Sequence, residues 1–182
     1  SLRVDLEGVP AGAYTLQISG VEGETLRYDL SVNAPFAAND LAEWTVLVYM
    51  AADNNLEGAA LDDIDEMEAV VMPDNMQVGV LVDRTPRHSQ ADGNWTDTRV
   101  GVIQHDNNPG VISSALGTWN EKHTGDGTTL SDFLDWGAQT LPAAHYAVIL
   151  WDHAAAMHGA LWDETNDHDH ATLDELAPAL AG

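Results

Sequence analysis

Three almost continuous apolar runs constrain the fold of this chain more than any other feature of its sequence. They are WTVLVYM at 44–50, VGVLVD at 78–83 and YAVILWD at 146–152. A strand with one face in water alternates apolar and polar residues, whereas a strand covered on both faces, as in a parallel sheet, reads as a continuous apolar run. The three runs therefore predict inner strands of a largely parallel sheet.

Amphipathic segments lie between these runs and predict helices that flank the sheet. The segment after the first run places apolar residues at helical spacing, with Asp53 or Asn54 available to cap its start. Those apolar residues are Leu56, Ala60, Ile64, Met67 and Val71. A second amphipathic segment occupies 128–141, and Thr172 and Glu175 have the spacing of a capping box at the start of a third. Strands that alternate with helices predict an α/β fold.

The amino-terminal part of the chain has a different pattern. Apolar residues alternate with polar ones on both sides of the turn-forming stretch SGVEGE, which predicts a β-hairpin within residues 1–35. The polar, proline-containing stretch that follows predicts a linker at 36–43. We therefore expect an α/β domain at 44–182, preceded by a hairpin that belongs to another unit.

The charge of the chain excludes two classes of partner. Six Lys and Arg residues stand against 30 Asp and Glu residues, for a net charge of −24. Such a surface repels nucleic acid and anionic membranes, and it attracts divalent cations and basic partners. The chain has no cysteine, which excludes disulfides, thiolate metal sites and a cysteine nucleophile from within these 182 residues.

Histidine follows the third apolar run directly and is the leading candidate for chemistry. In open α/β sheets, ligands bind beyond the carboxyl ends of the strands, and His153 falls at such an end. An imidazole there is suited to general base catalysis. The competing interpretation is a solvated histidine at a strand end. His158, five residues further on, is the second choice.

Three stretches of the sequence resemble the clostripain family of cysteine peptidases. They are EWTVLVYMAADNNLE, TTLSDFLDWGAQTLPAAHYAVILWDH and LWDETNDHDHATLDELAPAL, and together they span about 44–182. The resemblance implies a caspase-like fold, a mostly parallel sheet flanked by helices that is incomplete in this chain. It implies a His–Cys dyad that cleaves after Arg or Lys, with His153 as the dyad histidine and no cofactor required for the chemistry.

The residues after the histidine depart from the family pattern. The family usually has His-Gly-Ser-Gly-Trp, and this chain has His-Ala-Ala-Ala-Met from His153 to Met157. The resemblance assigns Ala154 to the region whose backbone N–H holds the oxyanion of the substrate. Alanine keeps that N–H but resists the positive φ angles that glycine adopts. The three alanines have three interpretations: natural sequence drift, deliberate substitutions, or loss of activity in this homologue.

The resemblance also implies a partner and a location. The family's cysteine follows the next strand, so we expect a Cys-bearing C-terminal chain of the same peptidase, separated by autoprocessing, to complete the enzyme. The segment 1–35 is similar to the end of the β-sandwich domain appended to bacterial peptidases. That similarity implies a secreted, extracellular or periplasmic protein. Its substrates would be peptides and proteins with Arg or Lys.

The acidic stretch at 162–170 has three interpretations. It is a solvated loop, a processing loop, or a calcium site built from Asp163, Asp167 and Asp169. It is not an EF-hand, because His168 stands where that loop requires glycine. Two further functions compete with the peptidase: a non-catalytic, cation-binding caspase-like module, and a metal-dependent hydrolase that uses this acidic stretch.

Overall fold

The structure, a computed structural model, describes residues 41–181, and the unit that these residues form starts at Ala42. The hairpin predicted within 1–35 lies outside the described residues. The linker predicted at 36–43 lies mostly outside them too, but its last two residues belong to the first strand. The helices and strands of the described part are β1 Ala42–Ala52, α1 Glu57–Glu68, β2 Met76–Arg84, β3 Thr98–Val102, β4 Gly117–Asn120, α2 Gly127–Thr140, β5 Ala143–Trp151, β6 Ala160–Asp163, β7 Asp169–Ala171 and α3 Leu173–Ala181.

The three apolar runs form the parallel centre of a five-stranded sheet with the strand order β4-β3-β2-β1-β5. In β1, Val48 lies between Val80 of β2 and Ile149 of β5, and both pairings are parallel. Strands β3 and β4 continue the sheet in antiparallel pairings beyond β2. The prediction of an α/β fold with a mostly parallel sheet flanked by helices is confirmed.

Alternate residues of β1 build the two cores, one on each face of the sheet. Leu47 and Tyr49 pack with residues of α2 and α3, including Phe133. Val48 and Met50 face the other way and pack with Ile64 of α1 and with β2. Because successive side chains of a strand point to opposite faces, a continuous apolar run supplies both layers at once. Each fully buried side chain of this size contributes about 1.5–3 kcal/mol.

Helix α1 differs from its predicted form at its carboxyl end. It ends at Glu68, and Val71, which the spacing placed inward, is 72% exposed. Two glutamates are buried instead. Glu57 pairs with the buried Arg84 at 2.7 Å, and Glu68 accepts from the backbone N–H of Ser114 at 2.7 Å. A buried carboxylate is tolerated where donors of this kind satisfy it. Among the described helices, none has the length and apolarity needed to cross a bilayer.

Strand β5 forms an edge of the described sheet. Its sequence is as apolar as that of β1, yet Tyr146, Val148 and Ile149 are 41%, 37% and 46% exposed. Trp151 at its end does find a partner, since its indole N–H donates to Asp63 of α1 at 2.7 Å. A strand of this composition is typical of the interior of a parallel sheet.

The segment predicted as a loop at 162–170 is an antiparallel hairpin of β6 and β7, in which Asp163 pairs with Asp169. Helix α3 follows. Half of its predicted capping box is present: Glu175 Oε2 accepts from the backbone N–H of Thr172 at 2.8 Å and from its hydroxyl at 2.6 Å. The N–H of Glu175 donates to the Thr172 carbonyl at 3.1 Å and not to its hydroxyl. The hairpin brings its residues to the carboxyl edge of the main sheet, where Leu161 packs into the core.

Candidate active site

The loops after β1 and β5 meet because the two strands are parallel neighbours, with Met50 beside Trp151. His153 lies in the second loop and is exposed. Its Nε2 donates to Asn55 Oδ1 in the first loop at 2.9 Å. This bond places the proton on Nε2, so Nδ1 is the nitrogen that is free to accept a proton. The imidazole is thus held at the carboxyl edge of the sheet with a basic nitrogen available.

Asp152 does not orient the imidazole, although it precedes it. Its Oδ1 accepts from Asn54 Nδ2 at 2.8 Å, and its Oδ2 accepts from the backbone N–H of Trp162. Asn54 Nδ2 also donates to the carbonyl of Trp162 at 2.9 Å. Burial raises the pKa of Asp152 to about 6. The Asp152–Asn54 pair therefore ties β6 to the loops on which His153 and Asn55 lie.

The three alanines that replace the family's Gly-Ser-Gly lie in a tight loop. Ala154 forms a bridge with Ala160, and the N–H of Ala155 donates to the carbonyl of Gly159 at 2.9 Å. Within the described part of the chain, the N–H of Ala154 has no acceptor. The positive φ of +52° falls on Ala156, not on Ala154. An amide after the imidazole is therefore open to a ligand, and the strained backbone lies at Ala156, where the family pattern has its second glycine.

His158 occupies a different environment from His153. It ends a short 3₁₀ turn, Ala156–His158, and is exposed. Its carbonyl accepts from His170 Nε2 at 2.7 Å, and the His170 ring stacks on Trp162 with centroids 4.6 Å apart. The contribution of His158 to this network comes from its backbone. Of the two histidines, His153 is the one whose imidazole is held at the carboxyl edge of the sheet.

Three buried carboxylates lie beneath the same edge: Asp53 directly follows β1, Asp83 is the second-last residue of β2, and Asp163 ends β6. Asp53, Asp83 and Asp163 are fully buried, and one oxygen of each lies within 4.8 Å of the others. Burial raises the pKa of Asp83 well above its ordinary value. Burial also raises the pKa of Asp53, against the lowering effect of the Thr165 and Thr85 hydroxyls. The three side chains form a compact acidic cluster.

The calcium site proposed from sequence at Asp163, Asp167 and Asp169 is not assembled in this form. Of the three, only Asp163 belongs to the acidic cluster. Asp167 and Asp169 are exposed, and Asp169 lies 3.6 Å from His123 Nε2. The reason is the hairpin, because its turn points Asp167 outward while β6 directs Asp163 into the core.

Sequence reasoning did not find Asn55, Asp53 or Asp83 as site residues. It assigned the cap of α1 to Asp53 or Asn54, but the N-cap residue is Leu56 and the helix has no side-chain cap. Asn54 Oδ1 accepts instead from the backbone N–H of Leu56 itself, at 2.9 Å. All the missed residues lie within three residues of the carboxyl end of a parallel strand. The carboxyl edge of such a sheet is where functional side chains collect, and that signal was available.

A mainly parallel sheet with helices on both faces and an imidazole at its carboxyl edge defines a caspase-like α/β protein. The sequence profile described as the clostripain family matches residues 48–182. The chain belongs to the clostripain family.

Known relatives agree with this assignment. The curated protein clostripain from Hathewaya histolytica is 29% identical over 152 residues, a match to 72% of this chain and 29% of clostripain. A secreted C11 cysteine protease from Bacteroides thetaiotaomicron, solved with an irreversible peptide inhibitor, aligns with a TM-score of 0.63 and 21% identity over 77% of this chain and 39% of that one. An inactive zymogen C11 protease from Parabacteroides distasonis aligns with a TM-score of 0.56 and 20% identity, over 78% of this chain and 39% of that one. The chain thus spans under a third of the curated relative, and the solved structures support the fold.

Proposed function

We propose that this chain is the histidine-bearing part of a secreted cysteine endopeptidase that cleaves after Arg or Lys. The observation that carries the proposal is the imidazole of His153, held by Asn55 at 2.9 Å on the exposed carboxyl edge of the sheet. A base in this position needs a nucleophile beyond the edge. Since the chain contains no cysteine, the thiol comes from a Cys-bearing segment of the same peptidase.

The mechanism follows from the two nitrogens of the ring. Nε2 is fixed by Asn55, so Nδ1 of His153 takes the proton of the incoming thiol or pairs with the thiolate. The same nitrogen later returns the proton to the leaving amine. The open N–H of Ala154 donates to the oxyanion that forms when sulfur attacks the carbonyl. Ala154 needs no positive φ for this role, so the loss of glycine at that position leaves the donor in place.

The edge strand β5 indicates where the missing segment docks. Tyr146, Val148 and Ile149 leave large apolar areas on both faces of β5, and the outer backbone groups of an edge strand are available for pairing. A further parallel strand beside β5 would cover these groups. Its carboxyl end would then lie next to His153, within reach of a thiol at that end.

The charge of the chain is consistent with basic substrates. A net charge of −24 attracts Arg- and Lys-containing peptides over long range and raises their encounter rate. The acidic side chain that would select the basic residue is expected near the thiol, on the Cys-bearing segment. Secretion is proposed by analogy with the Bacteroides thetaiotaomicron protease, which is described as secreted. Autoprocessing is proposed because a related protease is described as an inactive zymogen.

A second candidate, a non-catalytic caspase-like binding module, is favoured by one observation. Ala156 has a φ of +52° where the family pattern has glycine, as expected of a loop that is no longer under catalytic selection.

The full-length protein distinguishes the two candidates. It would be incubated with fluorogenic peptides that carry Arg, Lys or Glu before the scissile bond, with and without prior alkylation by iodoacetamide. We expect cleavage after Arg or Lys that alkylation abolishes. Cleavage that survives alkylation contradicts a cysteine mechanism, and absence of cleavage in processed protein favours the binding module.

A further inference from the structure

We propose that His170 is a positioning residue for the oxyanion donor of the peptidase, the backbone N–H of Ala154. Its imidazole holds the loop of residues 153–161, the histidine loop, in place against strand β7. Because it assigns the open amide to the substrate carbonyl, this role rests on the proposed function. It adds a residue that lies outside the dyad and acts through the backbone of the loop.

The histidine loop is a small hairpin, and its pairing explains why the Ala154 amide is open. The N–H of Leu161 donates to the carbonyl of His153 at 3.3 Å. The N–H of Ala155 donates to the carbonyl of Gly159 at 2.9 Å. Ala154 lies between these two bonds, at the antiparallel bridge of the hairpin. A residue in that position directs its own N–H away from the opposite strand, so the Ala154 amide points out of the loop.

The tip of this hairpin, residues 156–158, has little packing of its own. All three residues are exposed, and Met157 is 84% exposed. Among the hydrogen bonds that residues 154–159 make within the described part of the chain, one reaches outside the histidine loop. In that bond, His170 Nε2 donates to the His158 carbonyl at 2.7 Å. A carbonyl oxygen only accepts, so Nε2 carries its proton, and the bond fixes the tip relative to β7.

The ring of His170 is itself held in place. It stacks on the ring of Trp162, its cross-strand partner, with centroids 4.6 Å apart and planes 6° from parallel. Trp162 is anchored in turn, because its backbone N–H donates to Asp152 Oδ2 and its carbonyl accepts from Asn54 Nδ2 at 2.9 Å. Cross-strand aromatic pairs of this kind stabilise a hairpin and orient both rings. The imidazole is thus preorganised to donate to the tip.

Gly159 allows the close approach of the loop to β7. Its φ is +112°, and a Cβ there would lie 2.1 Å from the carbonyl oxygen of Ala171 and 2.9 Å from His170 Cδ2. Glycine is required for the backbone conformation and for the space. The missing side chain lets the His170 ring reach the His158 carbonyl.

The expected effect of His170 is on the transition state. A donor to an oxyanion is effective when it is already in place where the charge develops. A misplacement of about 1 Å can cost on the order of a hundredfold in rate. Residues 155 and 156 connect the Ala154 amide to the tip, so a tip that is no longer held moves the amide. Loss of His170 should therefore affect the reaction and ligands that form an oxyanion, and should spare the binding of substrate.

Two substitutions of His170 in the full-length protein separate its ring from its donor. His170→Phe keeps an aromatic ring that can stack on Trp162 and removes the N–H. His170→Gln loses the stack and keeps an N–H donor at the same number of bonds from the backbone. The matched control is His105→Phe, because His105 Nδ1 also donates to a backbone carbonyl, that of Glu68 at 2.9 Å, in a different loop.

Four measurements distinguish the amide from the rest of the site. Steady-state kinetics on an Arg peptide give kcat and KM. The affinity for an arginine peptide aldehyde reports oxyanion binding, because the thiolate adds to the aldehyde carbon and the carbonyl electron pair moves onto oxygen. The rate of alkylation by iodoacetamide reports the reactivity of the thiol, and no oxyanion forms in that reaction. Hydrogen exchange of the Ala155 amide reports the opening of the loop and needs no activity.

We expect His170→Phe to lower kcat by about 10- to 100-fold with KM almost unchanged, and to weaken aldehyde binding by a similar factor. Its alkylation rate should equal that of the unmodified protein, and exchange of the Ala155 amide should be faster. His170→Gln should retain most of the activity and the slow exchange. His105→Phe should leave all four measurements unchanged.

Three outcomes in an active protein would overturn the proposal. The first is full kcat and full aldehyde affinity in His170→Phe. The second is an equal loss in its alkylation rate, which would place the effect on the dyad or on the fold. The third is an equal loss in His170→Gln, which would assign the role to the stacked ring.

An inactive full-length protein would contradict the proposed function, and hydrogen exchange would then decide the role of His170 by itself. Faster exchange of the Ala155 amide in His170→Phe, but not in His170→Gln or His105→Phe, would support a loop held by the His170 donor. Unchanged exchange in His170→Phe would overturn it.

Discussion

His153 Nε2 donates to Asn55 Oδ1 at 2.9 Å, which joins the loops that follow the adjacent parallel strands β1 and β5. The side chain of Asn55 carries no charge, so its contribution is to fix the ring orientation and to keep the proton on Nε2. Nδ1 is then the nitrogen directed to chemistry. This makes Asn55 a positioning residue for the proposed base.

If the full-length protein has the proposed activity, replacement of Asn55 by alanine should lower kcat by about 10- to 100-fold and leave KM almost unchanged. Misorientation of a catalytic group affects the reacting geometry rather than substrate binding. Steady-state kinetics on an Arg peptide measure both constants. Asn107→Ala, an exposed change of the same kind in another loop, should leave both unchanged. Nitrogen-15 NMR of the His153 ring should report the Nε2–H tautomer, and an Nδ1–H tautomer would contradict this role.

Replacement of Ala156 by glycine should stabilise the fold by about 0.5–1 kcal/mol, because a left-handed conformation costs an L-residue about 1–2 kcal/mol, part of which the greater freedom of unfolded glycine offsets. Ala156 has a φ of +52°. Ala155, with a φ of −118°, is the matched control, and Ala155→Gly should destabilise. Urea unfolding measures the free energy of unfolding of both variants. If both are less stable than the unmodified chain, the backbone at Ala156 is not strained.

The strands were the part of this fold that its sequence predicted best. Runs such as the one at 44–50 belong to a parallel sheet because no other common environment covers both faces of a strand. The direction of side chains beyond the strand ends was not predictable in the same way. Asp53 was expected as a helix cap and instead enters a buried cluster, because Leu56 rather than an Asx residue occupies the N-cap position of α1. Val71 was expected inward, but α1 ends before reaching it.

The pair of Glu57 and Arg84 should be a strong determinant of stability. Both side chains are 0% exposed and their atoms are 2.7 Å apart. Glu57→Ala leaves the guanidinium buried without its partner, and we expect a loss of about 3–5 kcal/mol in the free energy of unfolding. Arg87→Ala breaks an exposed pair with Glu164 and should cost at most about 1 kcal/mol. Urea unfolding that gave similar small losses for both variants would show that Arg84 finds other acceptors.

Because of Asp152, the free energy of unfolding should decrease as the pH rises. Burial raises its pKa from 3.8 to about 6, so between these values the folded chain binds the proton that the unfolded chain has lost. Stability therefore decreases through this window and is level above it. Relative to the unmodified chain, Asp152→Asn should become more stable as the pH rises through the window. Unfolding at several pH values measures the difference, with Asp167→Asn as the control for charge alone. A difference that does not vary with pH would contradict the assignment.

The most direct test of the proposed activity compares two histidines five residues apart in the full-length protein. Peptide hydrolysis after Arg or Lys would be measured for His153→Ala and for His158→Ala, with folding checked by circular dichroism. We expect His153→Ala to lower kcat by on the order of a thousandfold or more, as removal of a base paired with a nucleophile does, and His158→Ala to retain most activity. Full activity in His153→Ala, or its loss only in His158→Ala, would contradict the claim that His153 is the base.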